Sequence, residues 1–512
     1  MNRVTVEARR KSIGFLPVKA LLSSDRTDGW PREALIGLKL ISPDDPACAV
    51  MEETESLTDA AQAHDRIRFF LKDRLVRNFR DVGRAWIGDS GPILVEVVGC
   101  EHLDEGSRLF FETLATLSTE VTVRLLPGAA DADISLNYEE NGRERRIERL
   151  CSATGRLEES DLEFLLEETD RYLSLGDSWS SERILQIILQ HRAEPAVWGK
   201  LGLSYAMQGR TMEAEFCYLR WRESPSVVAA AGADYALSML YARHHPPFLR
   251  SLDKTAEFLE HGYAMLQDTQ SANVENLDFH KVFNRNGYAL VEFRRGNVEE
   301  AIALLTDGIA HLRSGSAKNH MHQTVLIYNL AQCHRRSGNH AQAIEVYEQL
   351  LDLDGKMPEY HMELAHCHLD LGNFPKALEC LLTARTLGPS IQEVHSLLGF
   401  TYLRLDRVHE AVSSYRAAHE YAPDDRDALY DLAYALGESE DPAPALKLLL
   451  CVDLSDLSAE SAVKFLTLAA EQHAAVGDLT SAREALERVV MLAPDDSDAR
   501  ANLDQVVAAM TE

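Results

Sequence analysis

The chain is 512 residues long, 46% hydrophobic and 26% charged, with a net charge of −29. That length exceeds what one hydrophobic core supports, so several domains or an elongated array are expected. The acidic field repels phosphate backbones and anionic lipid, which excludes broad binding to nucleic acid or membrane surfaces.

No apolar run reaches the roughly 18 residues of a membrane span. The start, MNRVTVEARRKSIGF, lacks the apolar segment of a secretory signal. The eight cysteines form no CxxC pair and no zinc spacing. They suit a reducing compartment, and a cytoplasmic location with no metal and no cofactor is expected.

Residues 1–155 read as a small α/β domain. RVTVEA, EALIGLKLIS, PILVEVVG and TEVTVRLLPG are β-leaning runs, and helices are predicted at 62–80 and 104–117. GPILVEVVGCEHLDEGSRLFFETLATLSTEVTVRLLPG reads as strand, loop, helix, strand, a βαβ crossover with parallel neighbours. Asp104 suits the N-cap of its helix. Residues 92–128 resemble the second half of a P-loop ATPase core, which implies acidic metal-holding residues at the strand's end. Gly99 and Cys100 stand there instead, with Glu101 one place on, and no GxxxxGK[ST] precedes them to cradle phosphate. The site so implied is a dead one. An enzyme reading needs an unrecognised site in 1–155, around Glu101, His102 and Asp104; no catalytic residue is assigned.

The predicted helix at 62–80 carries Arg66, Arg68, Lys72, Arg74 and Arg77 beside Phe69, Phe70, Leu75 and Phe79. A basic amphipathic helix is a candidate docking element for an acidic partner, and a solvated face is the plainer reading. NYEENGRERRIERLC (137–151) reads as a polar hairpin or turn leading into the remaining two thirds of the chain.

From about 156 onward one phrase recurs: a Gly or turn residue, four residues, then Ala, then an apolar residue four later. It appears as GNHAQAIEVY, GNFPKALECL, DRVHEAVSSY and EDPAPALKLL, whose alanines 343, 377, 411 and 445 are spaced by 34. The same phrase occurs around Ala214, Ala301 and Ala482. A 34-residue unit holds two helices of about three turns each with two short turns. The alanine marks where the second helix crosses the first, and a larger side chain there forces them apart. WGKLGLSYAMQGRTMEAEFCYLRW, with Trp198, Leu201, Gly202, Tyr205, Gly209, Ala214 and Tyr218, resembles the tetratricopeptide repeat family; so does HSLLGFTYLRLDRVHEAVSSYRAAHEYAP. The resemblance covers about 160–510. It implies a mainly α fold: a right-handed superhelix of about nine helical hairpins at 162–194, 195–228, 229–270, 282–318, 324–357, 358–391, 392–425, 426–460 and 463–496, closed by a cap helix at 497–510. The third unit carries an insert at its His-His-Pro-Pro turn.

The resemblance also implies a concave groove lined by first-helix positions. Carried onto this chain these give Asn286, Phe293, Tyr328, Gln332, Arg335, Met362, His366, Phe400, Leu403, Tyr430 and Tyr434, a set suited to a peptide with aliphatic or aromatic anchors. Tyrosine at such positions also stacks neighbouring units, so both readings of Tyr328 and Tyr430 stay open. A Lys/Asn/Arg clamp for a terminal carboxylate is not matched, which disfavours acidic C-terminal tails. His361, His366 and His368 face different ways on one helix and read as structural or solvated, not as metal ligands. The expected function is a non-catalytic scaffold or accessory subunit that holds a protein or peptide and brings it to another protein, such as an enzyme. A peptide- or ligand-sensing regulator is the alternative.

Overall fold

The computed structural model describes residues 2–9, 13–23, 27, 29–53, 72–88, 91–118, 120–128, 134–269, 276–312, 317–439 and 442–511. They form two compact units, Met1–Met357 and Pro358–Glu512. The boundary expected near 155 falls inside the first unit.

The first unit opens with a parallel sheet of order β1 (Asn2–Glu7), β2 (Ile93–Val98), β3 (Val121–Leu126). Val95 and Val97 of the central strand are buried among Val6, Phe79, Phe110 and Leu114. Glu96 is buried too, and its charge is met by Arg3 at 2.5 Å and Arg124 at 3.9 Å from the flanking strands. Around the sheet lie α1 (Leu16–Leu22), α2 (Arg32–Ile41), α3 (Lys72–Ile87) and α4 (Glu105–Thr116). The β2–α4–β3 crossover and the Asp104 cap are as the sequence predicts: the Asp104 carboxylate accepts from Ser107 N–H at 2.8 Å.

Two local expectations differ. EALIGLKLIS is not a strand; it forms most of α2, because Ala34, Leu35, Leu38 and Ile41 bury one helical face. Gly37 lets α3 approach: a Cβ there would lie 2.6 Å from the Asn78 carbonyl. Where a polar hairpin or turn leading into the array is expected, residues 142–151 form a helix, α5 (Gly142–Cys151). Asn141 caps it through a reciprocal pair with Glu144, which satisfies the orphan N–H groups of the first turn. The basic helix is described from Lys72 onward and runs on to Ile87, since Phe79, Val82 and Trp86 continue its buried stripe.

Five helical hairpins complete the first unit: α6 (Glu159–Leu175) with α7 (Ser178–His191), α8 (Pro195–Met207) with α9 (Thr211–Trp221), α10 (Val227–Met239) with α11 (Leu252–Gln267), α12 (Leu277–Arg295) with α13 (Val298–Leu312), and α14 (Ala317–Arg336) with α15 (His340–Leu353). The second unit holds α16 (Pro358–Asp370) with α17 (Phe374–Leu387), α18 (Gln392–Arg404) with α19 (Val408–Tyr421), α20 (Arg426–Gly437) with α21 (Ala443–Leu449), α22 (Ala459–Ala475) with α23 (Leu479–Leu492), and a last helix, α24 (Ser497–Ala509). The recurrent alanines 214, 301, 343, 377, 411, 445 and 482 are fully buried at the crossings. Turns between paired helices need a left-handed residue: Gly338 and Gly372 supply it, and Asp406 takes φ 57° at the next such turn. The third hairpin is irregular where the sequence shows its insert. There α10 continues as one π-helical turn, Leu240–His244, and His245 is buried against the Thr211 hydroxyl at 3.0 Å.

Candidate functional site

In the first unit the first helices α10, α12 and α14 enclose a cavity of about 100 Å³. Its wall includes Tyr235, Met239, Leu290, Phe293 and Cys333, with the amides of Asn286 and Asn329 and the side chain of Arg243. Asn329 Nδ2 donates to Asn286 Oδ1 at 2.9 Å, joining the two helices across the cavity. Asn286 is itself buried, so it acts from within the wall rather than from an open surface. Burial pushes the Cys333 thiol up to about 11, leaving it protonated and unreactive at neutral pH.

Tyr328 and Gln332 are half-buried and tied to their own hairpin. Tyr328 packs edge-on against Tyr347, and Gln332 Nε2 donates to the Tyr347 hydroxyl at 2.7 Å. Arg335 is half-buried in the last turn of α14. The hairpin thus fixes these side chains, whatever else they touch.

In the second unit the expected groove residues divide. Met362 is buried in the core with Ala365 and Leu398, so it packs and does not line a surface. His366 Nε2 faces Glu393 at 3.4 Å. Leu403 is half-buried against the same core. Tyr430 packs edge-on against Phe465 of α22 with ring centres 5.4 Å apart. Phe400 and Tyr434 remain 44% and 41% exposed, more than a packing role requires.

Carboxylates act on Tyr434 of this pair: Glu438, four residues on at the end of its own helix, and Glu471 of α22. Burial, and then Asp427 and Asp425, push Asp431 up to about 6. Burial and then Glu438 raise Glu471 as well. Both shifts show carboxylates short of compensating positive charge. The i,i+4 spacing of Asp427 and Asp431 is readable in the sequence, but the burial that raises Asp431 and Glu471 is not, because it depends on neighbouring helices.

The strand ends of the first unit are closed by the chain itself. Both Glu101 oxygens lie 3.1 Å from the Gly128 N–H, and backbone donors hold the Glu101 carboxyl below its ordinary value. His102 sits 3.9 Å from Glu101. Asp104, besides capping α4, accepts from the Phe15 N–H at 3.1 Å and the Ser107 hydroxyl at 2.7 Å. Of the basic docking set, Arg66 and Arg68 lie outside the described residues, as does the side chain of Lys72, while Arg74 and Arg77 are half-buried on α3. Among the described residues no group of three His, Cys, Asp or Glu side chains is placed to hold a metal ion. No described helix is long and apolar enough to cross a membrane.

Three tetratricopeptide repeat family models match the chain, at residues 282–356, 334–399 and 392–425. No curated protein matches it. Among solved structures it is similar to apo RapI at 12% identity, over 67% of this chain and 98% of that one, with a TM-score of 0.45. It is also similar to the C-terminal part of a TPR repeat-containing protein from Cytophaga hutchinsonii, at 17% identity, over 48% and 94% of the two chains, with a TM-score of 0.40. A third similarity is to YrrB, described as a TPR protein with an unusual peptide-binding site, at 17% identity, over 35% and 90%, with a TM-score of 0.32. The helical hairpins and the three matching models define a fold that is mainly α, built of tetratricopeptide-type helical hairpins with a small N-terminal α/β region.

Proposed function

We propose that the chain is a non-catalytic scaffold that holds a protein or peptide on the first-helix faces of its hairpins and brings it to a second protein, such as a separate enzyme. The observation that carries this reading is the pair Phe400 and Tyr434. They occupy the same place in successive hairpins of the second unit and stay exposed where their neighbours are buried. Large side chains held open by rigid helices are the anchors of helix-in-groove and extended-peptide recognition. The undercompensated Asp431 and Glu471 favour a partner segment that is basic as well as apolar. Eight free cysteines suit a reducing cytoplasm.

The test is affinity capture from the native cell, comparing wild type with a Phe400→Ala/Tyr434→Ala variant whose thermal melt is intact. A partner held by wild type and lost by the variant supports the reading. A partner held equally by both moves recognition to another face.

A further inference from the structure

One place in the first unit gathers positive charge in an acidic chain. Three successive first helices end in arginine: Arg243 in the π-helical turn that prolongs α10, Arg294 near the end of α12, and Arg336 at the end of α14. Arg250 joins them from the turn before α11. Their described bonds go to neutral groups. Arg294 donates to the Ala242 carbonyl and Arg250 to the His245 carbonyl at 2.8 Å, and Arg243 Nη2 lies 3.7 Å from the Met239 sulfur. Among the described residues none of the four forms an ion pair, and Arg243 Nε is buried with no partner.

The charges act on one another beside the cavity. Burial, and then Arg243, Arg250 and Arg336, hold Arg294 below its ordinary value. Arg336 follows Cys333 of the cavity wall by three residues on the same helix, so the two share one helical face. Burial, and then Arg243 and Arg250, take His244 down to about 4, so it is neutral at physiological pH and adds no charge of its own. Helix C-termini carry about half a negative charge each, which explains why arginine is tolerated there but not why the cluster is left in excess. Each guanidinium has five donors in a fork that matches a carboxylate, and most of these donors are unused.

The cavity beside this cluster is lined by Arg243, Asn286 and Asn329 together with apolar side chains such as Met239, Leu290 and Phe293. A water requires on the order of 10–15 Å³ of such space, so the volume suits a side chain far better than a single solvent molecule. We propose that this cavity and its arginine rim bind a peptide segment that sets an aspartate or glutamate beside an aliphatic or aromatic side chain, the apolar group filling the cavity and the carboxylate meeting Arg243 and Arg336. The ligand class rests on the scaffold reading above. The site does not, since it lies in the other unit and has the opposite charge. A carboxylate supplied here neutralises a cluster that the chain itself leaves unbalanced.

A random dodecamer peptide library displayed on phage, panned against the full chain, tests it. Arg336 is exposed and makes no described bond, so Arg336→Gln keeps the fold; Arg243→Gln/Arg336→Gln is the stronger variant. The expected result is a family of clones with Asp or Glu within two positions of Leu, Ile, Phe or Tyr. Synthetic peptides of that family should bind the double variant at least tenfold more weakly, bind Arg336→Gln severalfold more weakly, and bind Phe400→Ala/Tyr434→Ala unchanged. Enrichment of basic or neutral clones alone, or acidic clones that bind the arginine variants as well as wild type, overturns the site and leaves the scaffold reading standing. No enriched clone of any kind overturns both.

Discussion

Lys19 Nζ and Glu144 Oε1 meet at 2.7 Å in the interior of the first unit, 125 positions apart in sequence, with both side chains almost wholly buried. Glu144 also accepts from the Tyr138 hydroxyl and the Asn141 N–H, each at 3.0 Å, so one carboxylate ties α1 to the cap of α5. A buried pair of this kind is strongly destabilising when broken, because one charge is left without compensation. Lys19→Met is expected to cost about 3–5 kcal/mol by that reasoning, and Lys19→Met/Glu144→Gln distinctly less than the sum of the two single changes. All five tryptophans, at 30, 86, 179, 198 and 221, lie in the first unit. Urea unfolding followed by tryptophan fluorescence therefore reads this unit alone. Additive single and double variants would refute the coupling.

The same segment joins the sheet region to the first hairpin. The Gly14 N–H donates to Ser180 Oγ at 2.7 Å, and Phe15 packs edge-on against Trp179 at 5.5 Å. A Cβ on Gly106 would lie within 2.8 Å of both rings. Ile13 and Leu16 belong to one apolar cluster with Leu165, Ile184 and Leu201. A fragment cut at residue 155 loses these partners and exposes that cluster, so it should show no cooperative unfolding transition. A fragment of residues 1–228, which keeps two hairpins, should recover one. Cooperative unfolding of 1–155 by near-ultraviolet circular dichroism would show that the sheet region stands alone.

Gly399 tests the hairpin pattern in the second unit. A Cβ there would sit 2.7 Å from three atoms of the Tyr415 ring, which fills the crossing of α18 and α19. Gly399→Ala is expected to destabilise by about 1–3 kcal/mol through overpacking, despite alanine's better helix propensity. In a Tyr415→Leu background the ring is gone, and the same change should be neutral or mildly stabilising. Circular dichroism melts of the two pairs give the coupling. Equal costs in both backgrounds would mean that the ring does not set the glycine requirement.

How much a sequence reveals depends on how strictly geometry restricts each position. Ala343, Ala377 and Ala411 must be small because two helix axes cross over them, and Gly372 must be left-handed, so a fixed spacing survives in the letters. The Asp104 cap is similarly local. In contrast, Ala34, Leu35, Leu38 and Ile41 read equally as a buried strand, since a short apolar run holds no clear period. Asn141 and Glu144 carry a legible capping signal that the polar, turn-like composition around them obscures. The groove residues are harder. Met362 and Asn286 stand at positions that offsets assign to a surface, yet each is buried by neighbours that the repeat does not specify. Arg243, Arg294 and Arg336 follow no constant spacing because the π-helical turn and the longer α12 and α14 displace them, so only the folded chain brings them together.

Asp177 gives the pH dependence of the first unit a definite sign. Its carboxylate caps α7, accepting from the Ser180 N–H at 2.9 Å and the Ser180 hydroxyl at 2.5 Å, and it is buried. Burial outweighs these bonds and the nearby Lys19, carrying Asp177 up to about 6. The folded state therefore holds this proton more tightly than the unfolded chain does. Stability from this group is greatest below about pH 4, declines as pH rises toward 6, and is flat above; the loss is on the order of 3 kcal/mol. Asp177→Asn keeps an acceptor for the Ser180 N–H and removes the charge. The variant should thus gain on wild type between pH 4.5 and 7 in urea midpoints read by tryptophan fluorescence. A difference between the two proteins that stays constant across that range would show that Asp177 is already ionised at pH 4.5, with its burial offset by the surrounding donors.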